Sequence, residues 1–287
     1  SRHQRRRPAI AARAAQGRLM ALGAETRSLA VFCDFENVAL GVREARYAQF
    51  DMAKVLERLL AKGSIVVKKA YCDWERYKEF KATMHAASFE LIEIPHVRQS
   101  GKNSADIRMV VDALDLCYTK SHVDTFVIVS GDSDFSPLVS KLRENAKTVI
   151  GVGVKNSSSD LLINNCDEFI YYDDLVRADE QKRRSAKKRR EAAPASAPGD
   201  KTGSDKKQEA FDLMLGTLEA LMAERDADER IWGSMVKQAL KRRNPGFNES
   251  YYGFRAFSDL LEEAAEKGLI KLEPDEKSGG YLIRPAQ

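Results

Sequence analysis

Apolar positions along this 287-residue chain follow two periods in turn. Between Ser28 and Leu175, six short runs rich in Val, Ile and Phe read as strands: Ser28–Asp34, Ser64–Cys72, Phe89–Pro95, Asp124–Ser130, Lys147–Val154 and Glu168–Asp174. Between them lie helix-length segments, such as Asp51–Lys62 and Ala105–Tyr118, with apolar residues every three or four positions. Strands alternating with helices predict βαβ units, and hence an α/β domain whose mostly parallel sheet carries helices on both faces.

Periodicity stops at about residue 176. The charge run Gln181–Glu191 and the Ala-, Pro- and Gly-rich stretch after it offer too little apolar surface to offset the entropy of ordering, so residues 177–206 read as a basic flexible linker. A helical period resumes after Lys207. Phe211, Leu215, Leu218, Leu221 and Met222 share one face, Ile231–Leu240 makes a second short helix, and Phe254–Lys267 makes a third. Two strand-like runs follow, joined by a turn at Ser278–Gly280. Three helices closed by a two-stranded hairpin is the order of a small winged helix-turn-helix domain, which places an interaction or nucleic-acid module at 207–287.

Charge refines this division. The chain holds 47 Lys and Arg against 43 Asp and Glu, a net +4, but residues 1–18 carry six Arg and no acid, and residues 177–191 carry eight Lys or Arg against three acids. The folded bodies are therefore mildly acidic, and the basic segments lie where they can track a polyanion without belonging to a core. Residues 1–25 read as a disordered basic leader, whose composition overlaps that of an organelle transit peptide but lacks its Ser enrichment. The α/β domain then occupies 26–176. No run approaches the roughly 18 apolar residues of a membrane helix. Cys33, Cys72, Cys117 and Cys166 lack zinc-like spacing, so a cytoplasmic protein with reduced core thiols and no membrane attachment is expected.

Chemistry concentrates in acids placed at strand ends. Asp34 follows the first apolar run, and Asp132 and Asp134 follow the fourth, within Ser130-Gly-Asp-Ser-Asp-Phe135. In an open parallel sheet the carboxyl ends of the strands form the ligand crevice at the switch point. If the first and fourth strands are neighbours, these acids converge, and Asp106, in the first turn of the preceding helix, points the same way. Carboxylates gathered without basic partners repel one another unless a divalent cation sits between them. An oxygen-only set favours a hard ion, Mg²⁺ or Mn²⁺, suited to phosphodiester hydrolysis. Bland readings compete: an acid after a strand caps a helix or shapes a turn, and Asp112 stands four residues after Arg108, the spacing of a helix salt bridge. Other chemistries fit poorly. Gly151-Val-Gly153 lacks the third glycine of a dinucleotide loop, no phosphate-loop lysine motif occurs, and Glu36 stands where an aspartyl phosphatase needs Asp. His85, His96 and His122 are isolated.

Three ordered motifs, Asp34-Phe-Glu-Asn37, Lys102-Asn-Ser-Ala-Asp106 and Ser130-Gly-Asp-Ser-Asp-Phe135, together resemble the NYN domain, a PIN-like nuclease, over about residues 28–175. The resemblance implies a metal-dependent ribonuclease on a Rossmann-like sheet of order 3-2-1-4-5. Carried onto this chain, it implies that Asp34, Asp106 and Asp132 hold the metal, with Asp134 as the fourth catalytic acid, and that Asn37 and Ser130 orient an acid, a water or the phosphate. Lys102 enters as a substrate contact, although its spacing to Asp106 is one residue longer than the family's Lys-Gly-x-Asp. Residues 208–285 resemble the LOTUS (OST-HTH) module through Asn248-x-x-Tyr-Tyr-Gly-Phe254 and the strand Leu269–Leu272, which implies binding to RNA or docking onto a protein partner.

These observations converge on a cytoplasmic Mg²⁺- or Mn²⁺-dependent endoribonuclease acting on single-stranded or structured RNA. Trp74 and Arg76, after the second strand, lie at the acid end of the sheet and are candidates for stacking and gripping a base, with packing against a helix as the competing role for Trp74. Lys237, Lys241, Arg242 and Arg243 are candidates for phosphate contacts on a C-terminal helix, against the alternative of a solvated charged face. Two other functions compete: a non-cutting RNA-binding or scaffold protein with a structural metal, and a Toprim-like phosphotransfer domain, which needs Glu where Asp34 stands.

Overall fold

A computed structural model describes residues 27–47, 49–94, 104–191, 203–225, 230–275 and 280–286. Its axis is β1 (Arg27–Asp34), whose last six residues are buried. Parallel neighbours flank it on both sides, β2 (Gly63–Cys72) and β4 (Thr125–Val129). β3 (Glu90–Glu93), β5 (Thr148–Gly153) and β6 (Glu168–Tyr171) extend the sheet in the order 3-2-1-4-5-6, all parallel. The predicted order holds, with the sixth strand added at the edge.

Alternation along β1 divides the core between two faces. Leu29, Val31 and Cys33 pack with α1 (Phe35–Glu44), α2 (Met52–Lys62), α3 (Lys78–Ala86) and the start of α7 (Tyr172–Glu191). Ala30 and Phe32 face α4 (Ser104–Thr119), α5 (Ser136–Glu144) and α6 (Asp160–Asn165). The face pairing depends on register, since a one-residue slip would exchange the two sets. Cys33, Cys72, Cys117 and Cys166 are free thiols, the first three buried. Among the described residues no helix is long and apolar enough to cross a membrane.

The linker expectation needs correction at both ends. α7 runs on through residues 177–191, and the next helix, α8 (Gly203–Ala223), begins before Lys207. Lys, Arg, Glu, Gln and Ala favour helix even where no apolar stripe exists, so an unpatterned charge run is still a good helix former. Residues 192–202 and the expected leader 1–25 lie outside the described residues.

The C-terminal body contains α8, β7 (Ile231–Trp232), α9 (Gly233–Arg243), a 3₁₀ turn at Glu249–Tyr252, α10 (Phe257–Glu266), β8 (Ile270–Asp275) and β9 (Gly280–Pro285). Its antiparallel sheet, ordered β7-β9-β8, completes a winged helix. Ala210, Phe211, Met214, Thr217, Leu218 and Leu221 form the buried stripe of α8, whereas Leu215 is only partly buried and Met222 is exposed. Those two lie at the margin of the helical stripe rather than on its centre. Ile231 and Trp232, expected to begin a helix, pair with β9 instead.

This body sits against α2. Glu224 forms ion pairs with Arg58 and Lys62, Arg243 pairs with Glu57, and Arg242 Nε donates to the Leu60 carbonyl at 3.1 Å. The side chains of Lys62 and Glu224 are both more than nine-tenths buried. Glu224 balances both Arg58 and Lys62, and replacing it with a cation would gather three positive charges with Glu168 as the remaining partner of Lys62. Glu224→Lys should therefore separate the two bodies: small-angle X-ray scattering should give a larger radius of gyration, while circular dichroism keeps the wild-type helix content.

Candidate active site

Register builds the site. Cys33 pairs with Val129 and Asp34 with Tyr71, so the residue after β1's apolar run comes level with Ser130, the first residue past β4. Asp34 is 8% exposed. It caps α1 by accepting from Asn37 N at 3.3 Å, and its Oδ2 accepts from Ser130 Oγ at 3.0 Å. Ser130 Oγ in turn accepts from Asp132 N at 3.2 Å. Asn37 reaches across with its side chain, taking the Gly131 N–H on Oδ1 at 2.9 Å. Asn37 and Ser130 thus tie the β1–α1 turn to the loop after β4.

Gly131 is needed where it stands. A Cβ on it would run into the Ser157 carbonyl and lie 2.8 Å from Ser158 Cα, which are backbone atoms that cannot swing aside. Beyond it, Asp132 caps a short 3₁₀ turn, Ser133–Phe135, accepting from Asp134 N at 2.9 Å. Asp132 therefore does shape its loop, as the bland reading held, and it also faces the other acids.

Asp106 occupies the first turn of α4. Burial pushes its carboxyl up to about 6, with Asp132, Asp134 and Glu36 adding to the shift. Burial likewise pushes Asp34 up to about 7, with Asp106 and Asp132 contributing and the bonds from Asn37 and Ser130 opposing. Among the described residues, the leading charges acting on these two groups are acidic. Asp34, Asp106, Asp132 and Asp134 are thus one electrostatic unit. Among the described residues no three acids form a ready-made cage for an ion. The donor set nevertheless suits one, since it is all hard oxygen, partly desolvated and mutually repelling.

Glu36 was passed over as a site residue. It lies in the first turn of α1, raises Asp106, and pairs with Arg76 at 3.3 Å. Its only signal in the sequence was its place inside Asp34-Phe-Glu-Asn37. Arg76 is half exposed and joins the β2–α3 turn to the acid end of the sheet, as its candidate role requires. Trp74 does not line the crevice. It is 1% exposed, and its ring centroid lies 5.0 Å from that of Phe35, so packing wins and no base can stack on it. Lys102 lies outside the described residues. Asp112 bonds Arg108, as its spacing implied, and also accepts from Tyr71 Oη at 2.8 Å, which fastens α4 to β2.

Comparison with known proteins agrees with this geometry. The NYN domain matches residues 28–173, half of the chain. The chain belongs to the NYN domain family. NYN domains have the PIN-like nuclease fold, and the sheet order of this one conforms to it. An uncharacterised protein of Methanocaldococcus jannaschii is 28% identical over 132 residues, 46% of this chain and 52% of that protein. The meiosis regulator and mRNA stability factor 1 of Xenopus tropicalis is 26% identical over 148 residues, 52% of this chain but 9% of the relative. The chain thus spans about half of the first relative and a small part of the second. A crystal structure of a Vibrio parahaemolyticus protein of unknown function covers 53% of this chain and 97% of its own at 28% identity, with a TM-score of 0.48.

Outside the NYN domain, three of the four expected phosphate contacts have partners within the chain. Arg243 donates to the Gly216 carbonyl at 2.9 Å and pairs with Glu57, and Arg242 is half-buried against the end of α2. Lys237 pairs with Glu249 at 3.0 Å, and Lys241 is exposed. The basic end of α9 serves docking between the two bodies.

The raised acids fix the sign of a pH effect. Folded Asp34 keeps its proton to about pH 7 and Asp106 to about pH 6, whereas both lose it near 3.8 when unfolded. Between pH 4 and 7 the folded state binds more protons, so stability is highest at the acid end and falls as pH rises. For Asp34 the loss is on the order of 4 kcal/mol at neutral pH. Thermal melts in EDTA should show Tm falling from pH 5 to pH 8, and Asp34→Asn should flatten that slope and melt above wild type at pH 8.

Proposed function

We propose that this chain is a divalent-metal-dependent endoribonuclease that hydrolyses RNA phosphodiester bonds at the acidic end of its NYN sheet. The observation that carries the reading is Asp34: a carboxylate at the end of the central strand, pushed up by burial and further by Asp106 and Asp132, with acids as the leading charges acting on it among the described residues. A structural acid would be paired or exposed, and this arrangement costs stability instead. The relative named as an mRNA stability factor supports RNA as the substrate class.

Asp34, Asp106 and Asp132 would hold Mg²⁺ or Mn²⁺, which would polarise the phosphate and lower the pKa of a bound water. Ser130 fixes the Asp34 oxygen through its hydroxyl, and Asn37 fixes the loop that presents Asp132. Asp134, exposed in the loop after β4, would accept a proton from the attacking water. Arg76 offers a guanidinium to the RNA backbone once Glu36 releases it. The C-terminal winged helix is read as a LOTUS-like module that adds RNA or protein contacts, and a reducing cytoplasmic setting suits the four free thiols.

The test is cleavage of end-labelled single-stranded RNA by wild type and Asp132→Asn with Mg²⁺, Mn²⁺ or EDTA. Metal-dependent cutting by wild type, abolished by EDTA and by the substitution, supports the nuclease. RNA binding without cutting in either protein would replace it with a non-catalytic RNA-binding function. Because the folded bodies are acidic, grip must come from the basic segments, including Arg183 and Arg184, exposed on α7. Affinity should fall more than about tenfold between 50 and 200 mM salt.

A further inference from the structure

We infer that the C-terminal domain carries a base-stacking site for unpaired RNA at Tyr251, on the 3₁₀ turn before α10. The inference rests on the RNA-binding reading above.

Tyr251 leaves 58% of its surface in solvent while its backbone is held firmly. Asn248 caps the turn, its side chain accepting from Ser250 N at 3.0 Å, and Gly253 ends it in the left-handed region at φ 86°. The ring is backed from within. Tyr252 meets it edge to face, with centroids 5.0 Å apart, and Tyr252 itself stacks on buried Phe247 at 5.2 Å. An exposed aromatic braced by a second one and a third is a rigid platform, which spares the entropy a mobile ring would lose on binding.

Cations border the platform. Lys206 Nζ stands 4.8 Å from the Tyr251 centroid. Lys207 lies 5.1 Å from the Phe254 ring and bonds Glu263 at 2.6 Å, and Arg255 is exposed just beyond Gly253. An ammonium on a flexible stem over an aromatic face can move to a neighbouring phosphate when a base takes its place on the ring, so one feature serves both halves of a nucleotide. This chemistry selects single-stranded RNA without strong base preference, because every base has a π-face. Arg242 and Arg243 cannot do the same while they hold the two bodies together.

The test is fluorescence anisotropy of a labelled single-stranded RNA with the full chain, in EDTA so that cleavage plays no part. Tyr251→Ala should raise Kd about 5- to 100-fold with Tm unchanged, Tyr251→Trp should restore wild-type affinity, and Lys206→Gln should make the salt dependence shallower. Tyr251→Ala binding within twofold of wild type, with wild type binding well, overturns the stacking site, leaves the RNA reading intact and gives the turn to a protein ligand. No binding by wild type overturns both. Loss of binding in Tyr251→Ala supports the site even if the nuclease test fails.

Discussion

Taking a carboxylate out of water at the end of a central strand is costly, and among the described residues the charges that act most on Asp34 are other carboxylates, which add to the cost. Most features of the NYN domain's upper end follow from that. Ser130 and Asn37 N supply hydrogen bonds that favour the ionised form, yet burial outweighs them and the group is held near neutrality. The site is thereby left in tension, with proton binding and cation binding as the two ways to relieve it. A fold that keeps such a cluster gives up stability for a function that needs concentrated negative charge.

The tension is maintained by backbone geometry more than by side chains. Parallel pairing of β1 with β4 sets Asp34 beside Ser130 to within one residue, and only a bare glycine at 131 lets the following loop pass against Ser157 and Ser158. α4 brings Asp106 from the opposite face of the sheet and is fastened there by the bond from Tyr71 to Asp112. The acids come from three separate elements, each fixed by its own contacts, so they cannot move apart to relax their repulsion.

Much of this was legible in the sequence because it is periodic. Strand runs and the acids at their ends follow from alternation and spacing, the sheet order follows from the family resemblance, and Asp34, Asp106, Asp132 and Asp134 are linked by mutual electrostatic effects. What was not legible depends on non-local packing. Trp74 looks like a loop aromatic until Phe35 is seen to cover it. Glu36 has no pattern of its own, and its role appears only when α1 and α4 are placed together. The continuation of α7 was hidden because charge runs carry propensity without periodicity.

The basic end of α9 shows how docking redirects charged side chains. A basic helix terminus such as Lys241-Arg242-Arg243 would suit phosphate binding on an isolated winged helix, but the carbonyls at the end of α2 and the Glu57 carboxylate use the same guanidinium groups. The last carbonyls of helix α2 lack intrahelical partners, and cations there are favoured by the helix dipole as well as by direct bonds. The winged helix therefore turns its arginines inward to the NYN domain. What it leaves outward is a turn where lysines stand over aromatic rings. Under the proposed nuclease function, such a junction would set the distance between the acidic cluster and RNA held by the C-terminal domain, and a set distance between grip and cut would help choose where a flexible strand is cleaved.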